Sequence, residues 1–222
     1  MFINFNKNKY NKGVTFVELM VVMAILAIMF TTIIANYKNS RLTIVTQNLA
    51  DDIALSIRKA QSYAIGVHRS TDSFDYGYGI HFSTNEDNSN PSLGSNKSFI
   101  LFTDITNQKI YDKDSSNACG EPAGIPTPDN ECLEILQITS GDKIVAMNLV
   151  INGNLVKAIG GIVDITFKRP SPEPKFCHRN GQSNNCQQSS EITAVQIFIS
   201  NDANPGVYKV ITISNTGQIS VL

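Results

Sequence analysis

Glu18 is the residue whose chemistry is hardest to explain away: it is the only charge in an apolar run over residues 14–35 of VTFVELMVVMAILAIMFTTIIA. A carboxylate at the centre of a bilayer costs about 2.5–3.5 kcal/mol even on lenient insertion scales, and less near the boundary, so it needs a function or a partner. Four cysteines form the second chemical group, Cys119 with Cys132 and Cys177 with Cys186, each pair enclosing a Pro- or Asn-rich loop. Such spacing suits two local disulfides in an oxidising compartment, although four cysteines allow three pairings. Zinc, with His178 beside Cys177, is the competing use, and it lacks the C-x-x-C or H-x-x-x-H spacing of a metal site. Asp104, Asn107, Asp112 and Asp114 contain calcium-type oxygens, but their spacing is not that of an EF-hand loop, and an acid-rich turn after a strand is the commoner explanation.

Enzymatic chemistry finds no motif. His68, His81 and His178 are dispersed, no G-x-S-x-G, P-loop or H-E-x-x-H sequence occurs, and GSNKS at residues 94–98 is too short to cradle phosphates. Asp51, Asp52, Arg58 and Lys59 read as the solvated face of a helix. No catalytic residue, resident metal or cofactor is expected. The net charge of -1 advertises no nucleic-acid partner. FKRPSPEPK carries Lys168, Arg169 and Lys175, yet its prolines predict a stiff loop rather than a phosphate-tracking groove.

The elements that must position these groups follow from periodicity. At 1.5 Å rise per residue the apolar run reaches roughly 33 Å, enough for a bilayer core of roughly 30 Å. Lys7, Lys9 and Lys12 precede it with no acid among them, which predicts a cytoplasmic N-terminus and an exported body. The run is longer than a secretory signal and lacks an A-x-A cleavage site. Beyond it Leu42, Val45, Leu49, Ile53, Ile57, Ala60 and Ala64 recur at spacings of three and four, so the helix continues with one buried stripe until Gly66. After that, YGIHFS, SFILFTDI, QKIYD, LEILQI, KIVAMNLVI, GIVDITFKR, TAVQIFIS and YKVITIS read as strands, SNDANPG as a connector, and ISVL as a short final strand. The expected class is α+β, with a long N-terminal helix packed on a β-rich antiparallel head.

Read from Gly13, KGVTFVELMVV resembles the processing site of the type IV pilin-like family, in which a membrane peptidase cuts after glycine and methylates the new amine. Counting Val14 as the first mature residue, the fifth is Glu18, the residue type usual at that place in the family. Val14 departs from the commoner Phe. The resemblance extends loosely to minor pilins and minor pseudopilins of type IV pili and type II secretion, particularly those with a β-rich head.

That resemblance implies a leader at 1–13, a transmembrane and polymerisation half-helix at 14–35, an amphipathic half at 36–66 and a head at 67–222. It implies cleavage between Gly13 and Val14, methylation at Val14 and assembly through Glu18. The expected partners are a prepilin peptidase, other pilin or pseudopilin subunits, an inner-membrane assembly platform and membrane lipid. The place is the bacterial inner membrane, single-pass with the head periplasmic or extracellular, and then a pilus or pseudopilus. DNA-binding minor pilins carry a basic C-terminal segment, whereas YKVITISNTGQISVL has only Lys209, so nucleic acid is not an expected partner. An anchored extracellular adhesin that never polymerises is the alternative from another class.

Overall fold

The computed structural model describes residues 13–66, 76–86, 93–112, 119, 131–180, 186 and 191–222, apart from the side chains of 35, 36, 38 and 39. The chain divides into two compact units, Met1–Arg41 and Leu42–Leu222. Helix α1 (Phe16–Ile65) contributes to both.

In the first unit α1 has no Gly or Pro to break it, and although it is rich in Val, Ile, Thr and Phe, middling helix formers in water, a segment in lipid must satisfy its backbone internally. Its Phe16–Ile34 stretch is long and apolar enough to cross a membrane, and all of it is exposed. Thr31 and Thr32 do not interrupt it, because their hydroxyls donate to the carbonyls of Ala27 (2.7 Å) and Met29 (2.8 Å) and so satisfy themselves within the helix.

In the second unit the same helix buries Thr46, Ala50, Ile53, Ala54, Ser56, Ile57, Ala60 and Ala64. The expected stripe is present, but it lies off-centre. Leu42, Val45 and Leu49 are half-buried, and small residues one step round the helix take the deepest positions. Alanine there lets the helix axis approach a flat sheet closely. The helix ends as the N–H of Gly66 donates to the carbonyl of Ser62 at 2.8 Å.

Ten strands follow among the described residues: β1 (Gly77–Ser83), β2 (Ser98–Asp104), β3 (Cys132–Gln137), β4 (Asp142–Ile151), β5 (Asn154–Lys157), β6 (Ile162–Lys168), β7 (Ser171–Arg179), β8 (Ile192–Asn201), β9 (Asn204–Ser214) and β10 (Ile219–Val221). They form two antiparallel five-stranded sheets, β3-β2-β1-β6-β7 and β10-β9-β8-β4-β5. One core joins them to the helix. Ile53, Ile57 and Ala60 meet Tyr78, Ile80, Phe82 and Ile165 of the first sheet and Met147, Val195, Ile197 and Ile211 of the second. The architecture is α+β, as the periodicity predicts.

Three segments differ from expectation. QKIYD is not a strand: Asn107 (φ 59°) and Lys109 (φ 63°) lie in the left-handed region, which an extended ladder cannot accommodate. FKRPSPEPK is not a loop: it closes the β6–β7 hairpin, with Lys168 opposite Ser171, and its Pro172 and Pro174 fall on the sheet's edge strand, where a missing N–H breaks no ladder. The third is NLVK, which the strand pattern did not include: KIVAMNLVI is the expected strand, and the chain turns at Asn152 (φ 51°) and Gly153 (φ 79°), an Asn-Gly hairpin signal, so that NLVK pairs back on it as β5.

The middle of the first sheet is buried on both faces, since every residue of β1 and β2 is buried, while the edge strands β3 and β7 keep exposed residues. Alternate residues Tyr78, Ile80 and Phe82 enter the main core. On the opposite face Ile100 and Phe102 form a second cluster with Tyr111 and Cys132. A layer of loops over the sheet was not predicted from alternation alone.

Candidate functional site

Thr15 starts the helix. Its hydroxyl oxygen accepts the N–H of Glu18 at 3.3 Å, and its carbonyl accepts the N–H of Leu19 at 3.1 Å. Thr15 is therefore the N-cap and Glu18 the third helical residue, a T-x-x-E spacing in which the acid also faces the positive end of the helix dipole. Thr15 escaped the sequence reading, although that spacing is its signal. Among the described residues the Glu18 carboxylate has no partner, and Val14 is 71% exposed. A Cβ added at Gly13 would meet nothing within 4 Å. The fold itself thus places no demand on glycine at this position. Lys7, Lys9 and Lys12 lie outside the described residues.

The acids after β2 cap a turn. The Asp104 carboxylate accepts the N–H groups of Gln108 (3.0 Å) and Lys109 (3.1 Å), and Asn107 accepts from the Lys168 ammonium at 2.6 Å. Asp112 accepts the Thr106 hydroxyl at 3.3 Å, and Asp114 lies outside the described residues. Glu131, which the sequence did not single out, takes the backbone N–H groups of Ile105 (2.7 Å), Thr106 (3.1 Å) and Asp112 (3.1 Å). Among the described residues no three His, Cys, Asp or Glu side chains are grouped as a metal site requires.

Burial pushes Glu131 up to about 8, against the pull of those N–H donors, and it also raises Asp104 and Asp112. Between the ordinary glutamate value of 4.5 and about 8 the folded head therefore holds a proton that the unfolded chain releases. Stability is greatest on the acid side of that window and falls as pH rises through it. Urea denaturation is expected to show a loss on the order of 2 kcal/mol between about pH 5 and about pH 8, which Glu131→Gln flattens. A slope unchanged in the variant contradicts this assignment.

The histidines do structural work. His81 Nδ1 lies 2.6 Å from Asp164 Oδ1, and Arg179 Nε lies 2.8 Å from Asp164 Oδ2, all three buried. This pairing resembles part of a catalytic triad only superficially. Among the described residues His81 Nε2 has no hydrogen-bond partner and no hydroxyl is presented to it, and the ring packs on Gly94, where an added Cβ would fall 2.7 Å from it. The ring of His178 meets the Ile159 carbonyl at 2.6 Å through Nε2. His68 lies outside the described residues.

Cys119 is bonded to Cys132 and Cys177 to Cys186, with Cα separations of 5.2 and 5.1 Å. The Cys177 sulfur is consumed in that bond, which removes the zinc reading. Each bridge ties a loop to an edge strand of the first sheet, β3 or β7, and closing loops of this size is worth roughly 2–4 kcal/mol in the chain-entropy account. Of the charged group on the helix, Asp51 accepts from Gln47 at 3.2 Å, and Lys59 reaches Glu134 of β3 at 2.6 Å. Both Lys59 and Glu134 are substantially exposed, so the pair contributes little.

In class, then, this is a protein with an N-terminal helix long and apolar enough to span a membrane and a disulfide-bonded β-rich head. Residues 8–34 match the family model described as the prokaryotic N-terminal methylation motif, which supports a type IV pilin-like protein. The match makes a structural role the coarse reading, and together with the apolar helix it is consistent with a single-pass membrane anchor. No curated protein and no solved structure gives a significant match to this chain.

Proposed function

We propose that this chain is a structural subunit, a minor pilin or pseudopilin, of a type IV pilus or type II secretion filament. The observation that carries the reading is the coincidence of the methylation motif at 8–34 with a helix surface, Phe16–Ile34, whose apolar side chains are all exposed. A prepilin peptidase cuts after Gly13 and methylates Val14. The basic arm stays cytoplasmic and the head faces the periplasm or the cell exterior.

Cleavage creates an amine at Val14, a cation at neutral pH. Glu18, one helical turn on, lies within reach of that amine or of the amine of a neighbouring subunit. An unpaired carboxylate is costly in lipid, and packing beside an opposite charge in a helix bundle relieves the cost and fixes the register between subunits. Other pilin subunits and an inner-membrane assembly platform are the partners this assembly needs. Mechanical shearing of cells followed by sedimentation is expected to recover the processed chain with polymer. Recovery of the chain only with membranes, whatever the growth condition, would favour the anchored adhesin instead.

A further inference from the structure

Asn152 and Gly153 form the tip of the β4–β5 hairpin, and both lie in the left-handed region, with φ of 51° and 79°. Both are exposed, and a Cβ added at Gly153 would meet nothing within 4 Å. Among the described residues neither the Asn152 carboxamide nor the Gly153 N–H has a hydrogen-bond partner. Asn107, also left-handed, is by contrast held by the Lys168 ammonium at 2.6 Å, and Asn201 donates to Asp142 at 3.1 Å while accepting the N–H of Ala203 at 2.9 Å.

The strand after this tip is weakly secured. β5 is four residues long, all of them exposed, and it sits at the edge of the second sheet with β4 as its one neighbour. Its ladder runs from Ile151 opposite Asn154 to Asn148 opposite Lys157 and no further. A strand that buries so little side chain lifts off far more readily than β4 or β8 separate in the core. Lifting frees Asn152 to rotate out of the left-handed region, and Gly153 then offers no side chain to obstruct a close approach of its nitrogen to the Asn152 Cγ.

We propose that Asn152 is a spontaneous modification site, at which the head converts its hairpin tip from an amide to an acid and releases β5. The Gly153 nitrogen gives its proton to hydroxide and attacks the Asn152 Cγ; the new C–N bond closes a succinimide ring as the bond from Cγ to Nδ2 breaks and Nδ2 leaves as ammonia. Water then opens the ring. Addition at Cγ restores the main chain with aspartate at the position, whereas addition at the Asn152 main-chain carbonyl leaves the link through Cγ, an isoaspartate. No electrons are exchanged with any other molecule. Either product adds a negative charge, and the isoaspartate adds a backbone atom to a two-residue turn, which can then no longer hold β5 in register with β4. The inference holds whether or not the chain polymerises.

Peptide mass mapping of the full chain, incubated in neutral detergent micelles at mildly alkaline pH, tests it against the same chain unfolded in urea. Folded chains are expected to convert Asn152 at no less than about a tenth of its rate in the unfolded chain, and ahead of Asn107 and Asn201. Gly153→Asn, which tolerates the left-handed turn but adds a side chain beside the attacking nitrogen, should slow conversion at least about tenfold. Thermal unfolding of that variant should match the parent, so that slower conversion is not a changed fold. Hydrogen exchange of Asn154–Lys157 should quicken in the converted chain. An Asn152 amide that persists in the folded chain, equal conversion in the variant, or unchanged exchange of β5 after conversion would overturn the proposal.

Discussion

Gly13→Val is expected to leave a chain that folds, inserts and forms both disulfides but keeps its lysine-rich leader in full. The loss should be close to complete, because a branched side chain fills the space beside the scissile bond that glycine leaves open for close approach of the peptidase. Folding gives no competing explanation: an added Cβ at this position meets nothing within 4 Å, and the helix cap is made by Thr15, downstream. Electrophoresis of membranes from cells with and without the peptidase would check it. In the parent, the peptidase should shift the band; in the variant, both samples should show the unprocessed band. A shifted variant band would mean that the cut lies elsewhere.

Glu18→Ala should give the opposite pattern, normal processing with failed incorporation. The cap survives, since Thr15 accepts from the Glu18 backbone rather than from its side chain, so the helix loses only the dipole contribution of about 0.3–1 kcal/mol. What disappears is the partner proposed for the Val14 amine. Leaving one member of a shielded ion pair alone costs about 3–5 kcal/mol, equivalent to a reduction of two orders of magnitude or more in incorporation. Quantitative immunoblotting of sheared polymer against total processed protein measures this ratio. Wild-type incorporation by the alanine variant would remove the charge pair from the account, while reduced but detectable incorporation by Glu18→Asp would support it. The separation between the two variants is informative, because one blocks the creation of the cation and the other removes the anion.

Much of the fold is legible in the sequence. The helix declares itself through an unbroken run without Gly or Pro, and it stops at Ile65, directly before Gly66, the first glycine to follow Gly13. Strands such as YGIHFS and TAVQIFIS carry enough β-branched and aromatic residues to be recognised alone. The failures have physical causes. QKIYD has the composition of a strand, but Asp104 captures two of its backbone N–H groups and bends it into the left-handed region. The prolines of β7 argue against a strand only in a sheet's interior, and nothing in the local sequence says that the segment is an edge.

The site was unevenly legible for a related reason. Gly13, Val14 and Glu18 lie in one short stretch, so the family resemblance that assigns their roles is carried by local sequence. Cys119–Cys132 and Cys177–Cys186 were the nearest pairings, yet spacing could not choose among three. Glu131 gains its role only when the chain returns to the turn at Ile105. Such convergence is long-range in sequence and leaves no local pattern.

Intact mass spectrometry of subunits taken from the polymer fraction is the most direct test of the central claim. The account predicts a chain that begins at Val14, carries one added methyl group and lacks the four thiol hydrogens of the cysteines. Polymer built from chains that still begin at Met1 would contradict it.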